Sequence, residues 1–383
     1  MDGRDLAIDR ISDMPNPLLT QILSLLTTEE AVRTCILSKR WTDLWTSTDT
    51  LDFDFGSCTF GFERRNRSLR FIQGVLNRRG FSPLDKFKLR WQSHLNRSDR
   101  GIVEECISHA VACMPRLIYI HNNRDPIFKL PDSILNCGSV KEMSLLAKYS
   151  LFESQPKSIN LPSLKKLEIG HTSIDDDLIE MFLLGCPVLE ELALTCCPLM
   201  FEEINSNVLK KLTIERGCLE TTSFTLKNAS SLVTADLDIS ISYYTYYEDE
   251  LNLLGGLPNV TSLRLNATSR DVLRLLNKDI PNCLILNNLK SLELGVLETR
   301  YDWDLVVCFL QHSPNLKKLV LNFGHRVTSL GKKHYREKNS FPHEFLEIME
   351  IRVLETRVKK EIEETVVEIM GALVKTIGKI VTL

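Results

Sequence analysis

Few residues in this 383-residue sequence have the spacing that catalysis or metal binding requires. The adjacent thiols of Cys196 and Cys197 could serve an enzyme that transfers groups through cysteine, but they directly follow a predicted strand and no base adjoins them. The run Asp175 to Asp177 could bind a cation, yet no ligand-spaced histidine or carboxylate follows it, so we interpret it as a helix cap and first turn. The histidines lie far apart, and no phosphate-binding, dinucleotide-binding, metalloprotease or serine-hydrolase motif is present. The sequence therefore predicts no catalytic residue, no cofactor and no metal.

The composition is that of an ordinary soluble globular protein, with 43% apolar and 25% charged residues. The length suits two or three domains, and a net charge of -3 argues against a surface built wholly for nucleic acid or anionic membrane. The 11 cysteines are scattered without a C-x-x-C pair, which favours reduced thiols. Because neither a secretory leader nor a long apolar window is found, we expect an intracellular protein of the cytoplasm, the nucleus or both.

The stretch from residue 13 to residue 45 holds more large apolar side chains than so short a segment can bury. We expect three short helices, which begin at the caps Asn16, Thr27 and Ser38; the first runs to about Leu26, and Thr27 forms a capping box with Glu30. The third should place three side chains on one face, namely Trp41, Leu44 and Trp45. Helices of this size cover only one another's inner faces, so the rest of the apolar surface either binds a partner or is covered by a downstream domain. The residues alone favour the two alternatives equally.

The segment DRISDMPNPLLTQILSLLTTEEAVRTCILSKRWTDLWTS resembles an F-box of the plant kind along its full length. The resemblance implies that residues 1–50 bind a Skp-type adaptor, which links them to the cullin and RING protein of a ubiquitin ligase. The adaptor-facing residues that it implies are Pro15, Leu18, Leu19, Ile22, Leu23, Leu26, Val32, Cys35, Leu37, Ser38, Trp41 and Trp45.

Beyond residue 100 the chain repeats a pattern of the form L-x-x-L-x-L, as in LPSLKKLEI, CPVLEELAL and SPNLKKLVL. Successive units follow one another after about 20 to 29 residues, which is the period of leucine-rich repeats. Each L-x-L pair predicts a short parallel strand with alternate side chains inward, and the segments 175–189 and 301–316 have the spacing of outer helices. The first apolar positions of the units are Val140, Leu164, Leu189, Leu209, Leu232, Val260, Leu289 and Leu316.

A basic amphipathic helix is predicted between the F-box and the repeats, with Leu69, Ile72, Val75 and Leu76 on one side. Residues 62–100 hold eleven lysines or arginines against three acids, a balance that nucleic acid could contact. We favour a solvated helix face and loop instead, because no aromatic stacking platform accompanies the charge in the sequence. A first repeat strand is expected around Phe87 and a further one near 117–120.

The complete layout resembles the plant F-box and leucine-rich-repeat proteins that often end in an FBD domain. The fold class that follows is α/β: a three-helix F-box (1–50), a connecting amphipathic helix (51–81), an irregular leucine-rich-repeat solenoid with a parallel sheet and outer helices (82–324), a polar linker or loop (325–342) and a C-terminal strand-helix cap (343–383). In the cap, the strand FLEIMEIRVL precedes a helix from about Lys359 whose apolar side is Ile362, Val366, Ile369, Leu373, Ile377 and Ile380. The resemblance implies an FBD domain there, in a full or degenerate form.

Charged residues of both signs occupy the outward positions of the repeat strands. Nine are basic and six acidic: Lys141, Glu142, Lys165, Lys166, Glu168, Glu190, Glu191, Lys210, Lys211, Asp236, Arg264, Lys290, Glu293, Lys317 and Lys318. A mixed face suits a protein segment with patterned charge better than a polyanion, although each residue alone is also explained by solvation. A further candidate is the cluster Tyr243, Tyr244, Tyr246 and Tyr247, for which packing at a strand edge is the alternative.

Two functions follow from these observations and the resemblance. The first is the substrate receptor of a Skp–cullin–F-box ubiquitin ligase, whose F-box binds the adaptor and whose repeats bind an unknown protein target. The alternative is an interaction scaffold that binds through the same modules without assembling an active ligase. A catalytic role has no motif behind it, and neither nucleic acid nor membrane is an expected partner.

Overall fold

The computed structural model describes residues 11, 13–54, 62–92, 94–122, 125, 127–149, 151–221, 223–242, 254–267, 285–297, 302–323, 346–353, 359–374 and 377–382. The predicted linker at 325–342 and the tyrosine cluster at 243–247 lie outside these residues. The chain divides into two units, Met1–Leu164 and Lys165–Leu383. None of the described helices is long and apolar enough to cross a membrane.

The first unit begins with helices α1 (Asn16–Leu23) and α2 (Thr28–Arg33), followed by three 3₁₀ turns at Thr34–Ile36, Lys39–Thr42 and Leu44–Ser47. The capping box of α2 is confirmed, because the Thr27 hydroxyl accepts the Glu30 N–H and the Glu30 carboxylate accepts the Thr27 N–H.

Two other expected caps of the first unit are wrong. Asn16 lies inside α1, with Pro15 at the N-cap, because the Asn16 amide oxygen accepts the Arg40 Nε–H at 2.8 Å. Ser38 makes no capping bond, and two 3₁₀ turns replace the predicted third α-helix. The expected shared face is nevertheless buried, since Trp41, Leu44 and Trp45 all lie in the core.

Four parallel strands follow in the order β1 (Thr50–Asp54), β2 (Lys86–Trp91), β3 (Leu117–Asn122) and β4 (Glu142–Tyr149). Helix α3 (Phe62–Arg79) connects β1 to β2 and buries Leu69, Ile72, Val75 and Leu76 as predicted. Helix α4 (Arg97–Ala112) was not predicted; it is capped by the Asn96 side chain and connects β2 to β3. The strand around Phe87 is therefore the second of this unit, because β1 precedes it within the range predicted as a connecting helix.

In the second unit, parallel strands pair in a continuous series. They are β5 (Lys166–Thr172), β7 (Glu191–Thr195), β10 (Lys211–Leu219), β12 (Thr234–Ile241), β13 (Ser262–Ala267), β14 (Ser291–Leu297), β15 (Lys318–Phe323), β16 (Leu346–Val353) and β17 (Ile377–Thr382). Short strands lie beside them, namely β6 (Ile174–Asp175) with β8 (Pro198–Met200), and β9 (Glu203–Asn205) with β11 (Thr225–Lys227). Each strand from β5 to β15 in the main series begins two residues after its predicted apolar position, which confirms the repeat register.

Asparagine amides connect the turns between successive repeats. Asn259 donates to the Ser230 carbonyl at 2.7 Å, Asn288 to the Pro258 carbonyl at 3.2 Å and Asn315 to the Asn287 carbonyl at 2.8 Å. Backbone carbonyls at irregular turns need such partners. This side-chain ladder therefore holds the turns of successive repeats together beside the paired strands.

Both predicted outer helices are present, as α5 (Asp176–Gly185) and α6 (Asp302–His312). The carboxylate of Asp175 accepts the Leu178 N–H at 2.9 Å, so the acidic run is a helix cap as interpreted from the sequence. No group of three or more potential metal ligands occurs within the described part of the chain.

The C-terminal unit is a strand-helix-strand arrangement rather than a strand and helix alone. Helix α7 (Lys359–Leu373) ends before Ile377, and β17 pairs in parallel with β16. The prediction that the helix continues through Ile377 and Ile380 is therefore wrong. The β-branched residues near the C-terminus favour a strand, and Gly378 permits close approach, since a Cβ there would lie 2.7 Å from the Glu347 carbonyl oxygen.

Candidate functional site

Helix α1 has two apolar faces in different environments. Leu19 and Leu23, at 0% and 1% exposure, pack into the core of the first unit. Leu18 and Ile22 are 48% and 43% exposed, and Leu25, just after the helix, is 85% exposed. The spacing i, i+4, i+7 places the last three on one side. One apolar face of this segment therefore lies in solvent.

A second group of exposed apolar residues lies after α2. Ile36 and Leu37 are 88% and 62% exposed, at the 3₁₀ turn Thr34–Ile36 and directly after it. The following segment is held to the start of α1, since Arg40 donates to the side chain of Asn16 and to the Met14 carbonyl. We call Leu18, Ile22, Leu25, Ile36 and Leu37 the exposed apolar set. Burying a large side chain contributes roughly 1.5 to 3 kcal/mol, so this set strongly favours contact with another molecule.

The predicted adaptor-facing residues divide by exposure. Five of them are exposed, namely Pro15, Leu18, Ile22, Leu37 and Ser38. Three are half-buried, namely Leu26, Val32 and Cys35. Buried are Leu19, Leu23, Trp41 and Trp45. The structure corrects the assignment of these four, because they fill the core of their own unit; the Trp45 indole N–H, for example, donates to the Thr42 carbonyl at 3.0 Å.

Two members of the exposed apolar set, Leu25 and Ile36, were not among the predicted site residues. The helical spacing from Leu18 and Ile22 identifies Leu25 as part of the same face. Ile36 had no comparable signal, since it lies in a 3₁₀ turn rather than in the predicted α-helix.

The predicted charged face of the second unit consists largely of ion pairs between neighbouring strands. Glu190 lies between Lys165 and Lys210, with oxygen to nitrogen distances of 3.2 and 3.3 Å. Hydrogen bonds from Lys165 and then Lys210 hold the pKa of Glu190 below its usual range. Lys166 pairs with Glu191 at 3.1 Å.

The pairing continues towards the C-terminus. Arg264 contacts Asp236 at 3.2 Å and Glu293 at 3.4 Å, and Lys317 contacts Glu347 at 2.7 Å. Lys318 pairs with Glu350. Two more of the predicted residues lie on this charged face: Lys211 is exposed and Glu168 is half-buried. A ligand of this face must match alternating charges or displace existing pairs.

Glu350 gives a pH-dependent test of this charge network. Lys318, followed by Arg352, lowers the pKa of Glu350. A carboxyl group whose pKa is lowered by folding stabilises the fold above its ordinary pKa of about 4.3, and that stabilisation is lost as the pH falls through the folded value. We expect Glu350→Gln to reduce the free energy of unfolding by up to about 1 kcal/mol at pH 7. Urea titrations at pH 7 and at about pH 3 check this, since the difference between the two proteins should shrink in acid; a difference that stays as large as at pH 7 would contradict it.

Comparisons with known proteins agree with the two modules in the structure. Residues 11–52 match the F-box domain, and residues 107–321 match the family described as FBD-associated F-box protein At5g56370, LRR repeats. Neither match is to an enzyme family. The chain is thus an F-box protein with leucine-rich repeats.

Relatives from Arabidopsis thaliana show more closely which family of F-box proteins the chain resembles. The chain is 30% identical to F-box/LRR-repeat protein At1g06630 over 344 residues, which covers 82% of this chain and 84% of the relative. It is 26% identical to F-box/FBD/LRR-repeat protein At1g78750 (93% and 85% covered) and to FBD-associated F-box protein At4g13985 (82% and 77% covered). The protein belongs to this F-box/LRR-repeat family, which includes the FBD-associated F-box proteins. The repeat match ends at residue 321, so an FBD domain at 343–383 stays a prediction.

Proposed function

We propose that this chain is the substrate-receptor subunit of a Skp–cullin–F-box ubiquitin ligase in the cytoplasm or nucleus. The observation that carries the proposal is the exposed apolar set of the F-box segment, which provides an interface for a Skp-type adaptor. The repeats supply a second surface of alternating charges for a protein target. Such a receptor needs no catalytic residue, because it acts by raising the effective concentration of target lysines near a charged conjugating enzyme.

Co-expression of the full chain with a Skp-type adaptor tests the first half of the proposal. We expect a one-to-one complex in size-exclusion chromatography with light scattering. Failure to form this complex would overturn the proposal.

Addition of a cullin and a RING protein tests the second half. We expect the cullin to co-elute with the complex and ubiquitin transfer to depend on the receptor. If the adaptor binds but no cullin is recruited and no transfer occurs, the chain is an interaction scaffold instead.

A further inference from the structure

An open trough with a volume of about 1210 Å³ lies beside helix α5 in the second unit. One wall is α5, which contacts β9, and the other is the 3₁₀ turn Leu254–Gly256, which contacts β11. The paired strands β9 and β11 form the floor between these walls, and the floor residue Leu226 is buried. None of the ion-paired residues of the charged face lines this trough, so the trough is a separate surface.

The trough exists because two successive repeats are too short to include an outer helix. The repeats at 189–208 and 209–231 have 20 and 23 residues, and each has only a three-residue strand, β9 or β11, where the 25-residue repeat at 164–188 has α5. Gly256 packs so closely on β11 that a Cβ there would lie 2.4 Å from the Leu226 carbonyl oxygen. The outer layer therefore has a gap between α5 and this turn.

The face of α5 that lines the trough changes character along the helix. Asp176 and Glu180 lie towards its N-terminus, and Leu183 and Leu184 lie towards its C-terminus. Spacings of four and of seven to eight residues place these side chains on one helical face. Leu184 is 75% exposed, and Val208, which also lines the trough, is 37% exposed. The trough therefore offers both carboxylates and apolar side chains to a partner.

The charged groups that line the trough all have the same sign. They are Asp176, Glu180 and Glu203, and none of the described lining residues is basic. The Asp176 carboxylate accepts the Glu202 N–H at 2.9 Å, and Glu203 pairs with Lys227. Glu180 is exposed and has no ion pair within the described parts of the chain. Its carboxylate can therefore pair with a cation of another molecule.

We propose that the trough binds a basic amphipathic helix of a partner protein. A helix is about 10 to 12 Å across and packs about 8 to 10 Å from its neighbour, so one laid beside α5 would fill the gap over β9 and β11. Its apolar residues would cover Leu184 and Val208, and a lysine or arginine about one turn away would pair with Glu180. The inference goes beyond the receptor function, because it requires neither adaptor nor target and leaves the charged face free.

Other occupants fit the trough less well. An added strand would have to displace α5 or the turn Leu254–Gly256, because these elements contact β9 and β11. A small molecule would stay largely in solvent in so open a trough, whereas small-molecule sites bury most of the ligand surface. Helix α3 of a second copy is basic, but its apolar residues are buried in its own unit. A helix from a different protein meets none of these obstacles.

Selection from a displayed library of helical peptides, with one face randomised on a fixed scaffold, tests the proposal on the full chain. We expect enriched peptides with lysine or arginine one turn from leucine, isoleucine, methionine or phenylalanine, which is the spacing that matches Glu180 and Leu184. Enriched peptides are then synthesised with fluorescein, and their affinity for the full chain is measured by fluorescence anisotropy. Circular dichroism of the mixtures reports whether the bound peptides are helical.

The variant Glu180→Lys/Leu184→Asp should bind these peptides about tenfold or more weakly, because it reverses the charge and removes the apolar contact. Glu364→Lys/Val367→Asp is the matched control, since it changes an exposed acid and an exposed apolar residue of helix α7. We expect affinity within about twofold for this control, because distant sites act independently. Glu180→Lys alone should bind peptides whose cations are replaced by glutamate, a gain that misfolding would not produce.

Each of four results would overturn the proposal. In the first, no enriched peptide depends on Glu180 or Leu184. In the second, peptides with glutamate at the cation positions bind the unmodified chain equally well. In the third, the bound peptides are not helical. In the fourth, light scattering shows a dimer of the chain that Glu180→Lys/Leu184→Asp abolishes, which would assign the trough to a second copy.

Discussion

The variant Ile22→Asp/Ile36→Asp is expected to bind a Skp-type adaptor at least 100-fold more weakly while folding normally. Both side chains belong to the exposed apolar set, at 43% and 88% exposure. Only the exposed fraction of each side chain can be buried by the partner, so the two substitutions together remove roughly 2 to 4 kcal/mol of apolar burial from the interface, and each buried aspartate adds a desolvation cost. Since about 2.7 kcal/mol corresponds to 100-fold, the double change exceeds that threshold.

The measurement is isothermal titration calorimetry of each variant against the adaptor, with the melting temperature of the free chain recorded in parallel. Leu184→Asp/Val188→Asp is the matched control, because both residues are exposed apolar side chains of the second unit, at 75% and 39%. We expect it to bind like the unmodified chain. Undiminished affinity of the Ile22/Ile36 variant would show that another surface binds the adaptor.

The buried residues of the predicted site cannot serve this test. Leu23 and Trp41 resemble adaptor contacts in the sequence, but they are 1% and 6% exposed. A charge at Leu23 or a cavity at Trp41 would destabilise the first unit by several kcal/mol, and weaker binding would then follow from unfolding. Exposure, rather than motif position, identifies informative substitutions.

The strand series was predictable because each repeat carries its own apolar signal. The pattern at Leu189, for instance, is enough to locate β7, since alternation of buried and outward residues is local. The strands β1 and β17 were missed for a related reason. Thr50–Asp54 alternates apolar and polar residues but lacks the first apolar residue of the L-x-x-L-x-L pattern, since Thr48 stands there, and the apolar spacing of Ile377 and Ile380 also fits a helix.

The geometry of the sites depended on contacts between residues distant in sequence. A helical pattern shows that α1 has two apolar faces but not which face the remainder of the unit covers. Asn16 does not cap α1, because its amide oxygen instead accepts a hydrogen bond from Arg40, 24 residues away in the sequence. The sequence did not indicate that Tyr119 lies beside Lys88, because only the pairing of β2 with β3 brings these two residues together.

Loss of the Arg79 guanidinium should strongly destabilise the first unit. This side chain, in the last turn of α3, is 4% exposed. It donates to the carbonyls of Thr48 at 2.8 Å, Ser82 at 2.6 Å and Pro83 at 3.0 Å. Burial lowers the pKa of Arg79, but arginine keeps its charge at neutral pH. One cation thus connects the end of the F-box segment to α3 and to the loop before β2.

Arg79→Ala is expected to reduce the free energy of unfolding by about 3 kcal/mol or more, because hydrogen bonds from a charged donor contribute about 1.5 to 3 kcal/mol each and their carbonyl partners would remain without them. Arg78→Ala is the matched control at the adjacent position. Arg78 contacts Asp43 at 2.7 Å in an exposed ion pair, whose removal should cost no more than about 0.5 kcal/mol. Urea titrations of the two variants give the comparison, and equal effects would contradict the structural role of Arg79.

The hydrogen bond from Arg79 to the Thr48 carbonyl also has a functional consequence. Thr48 lies two residues before β1, which is the first strand of the sheet that follows the F-box segment. At a temperature where Arg79→Ala remains folded, we expect adaptor affinity within about twofold of the unmodified chain, since the exposed apolar set is unchanged. Ubiquitin transfer to the target should fall further than binding, because effective concentration depends on how rigidly the two modules are joined. Parallel decreases in adaptor affinity and transfer would instead show that Arg79 acts on the F-box fold alone.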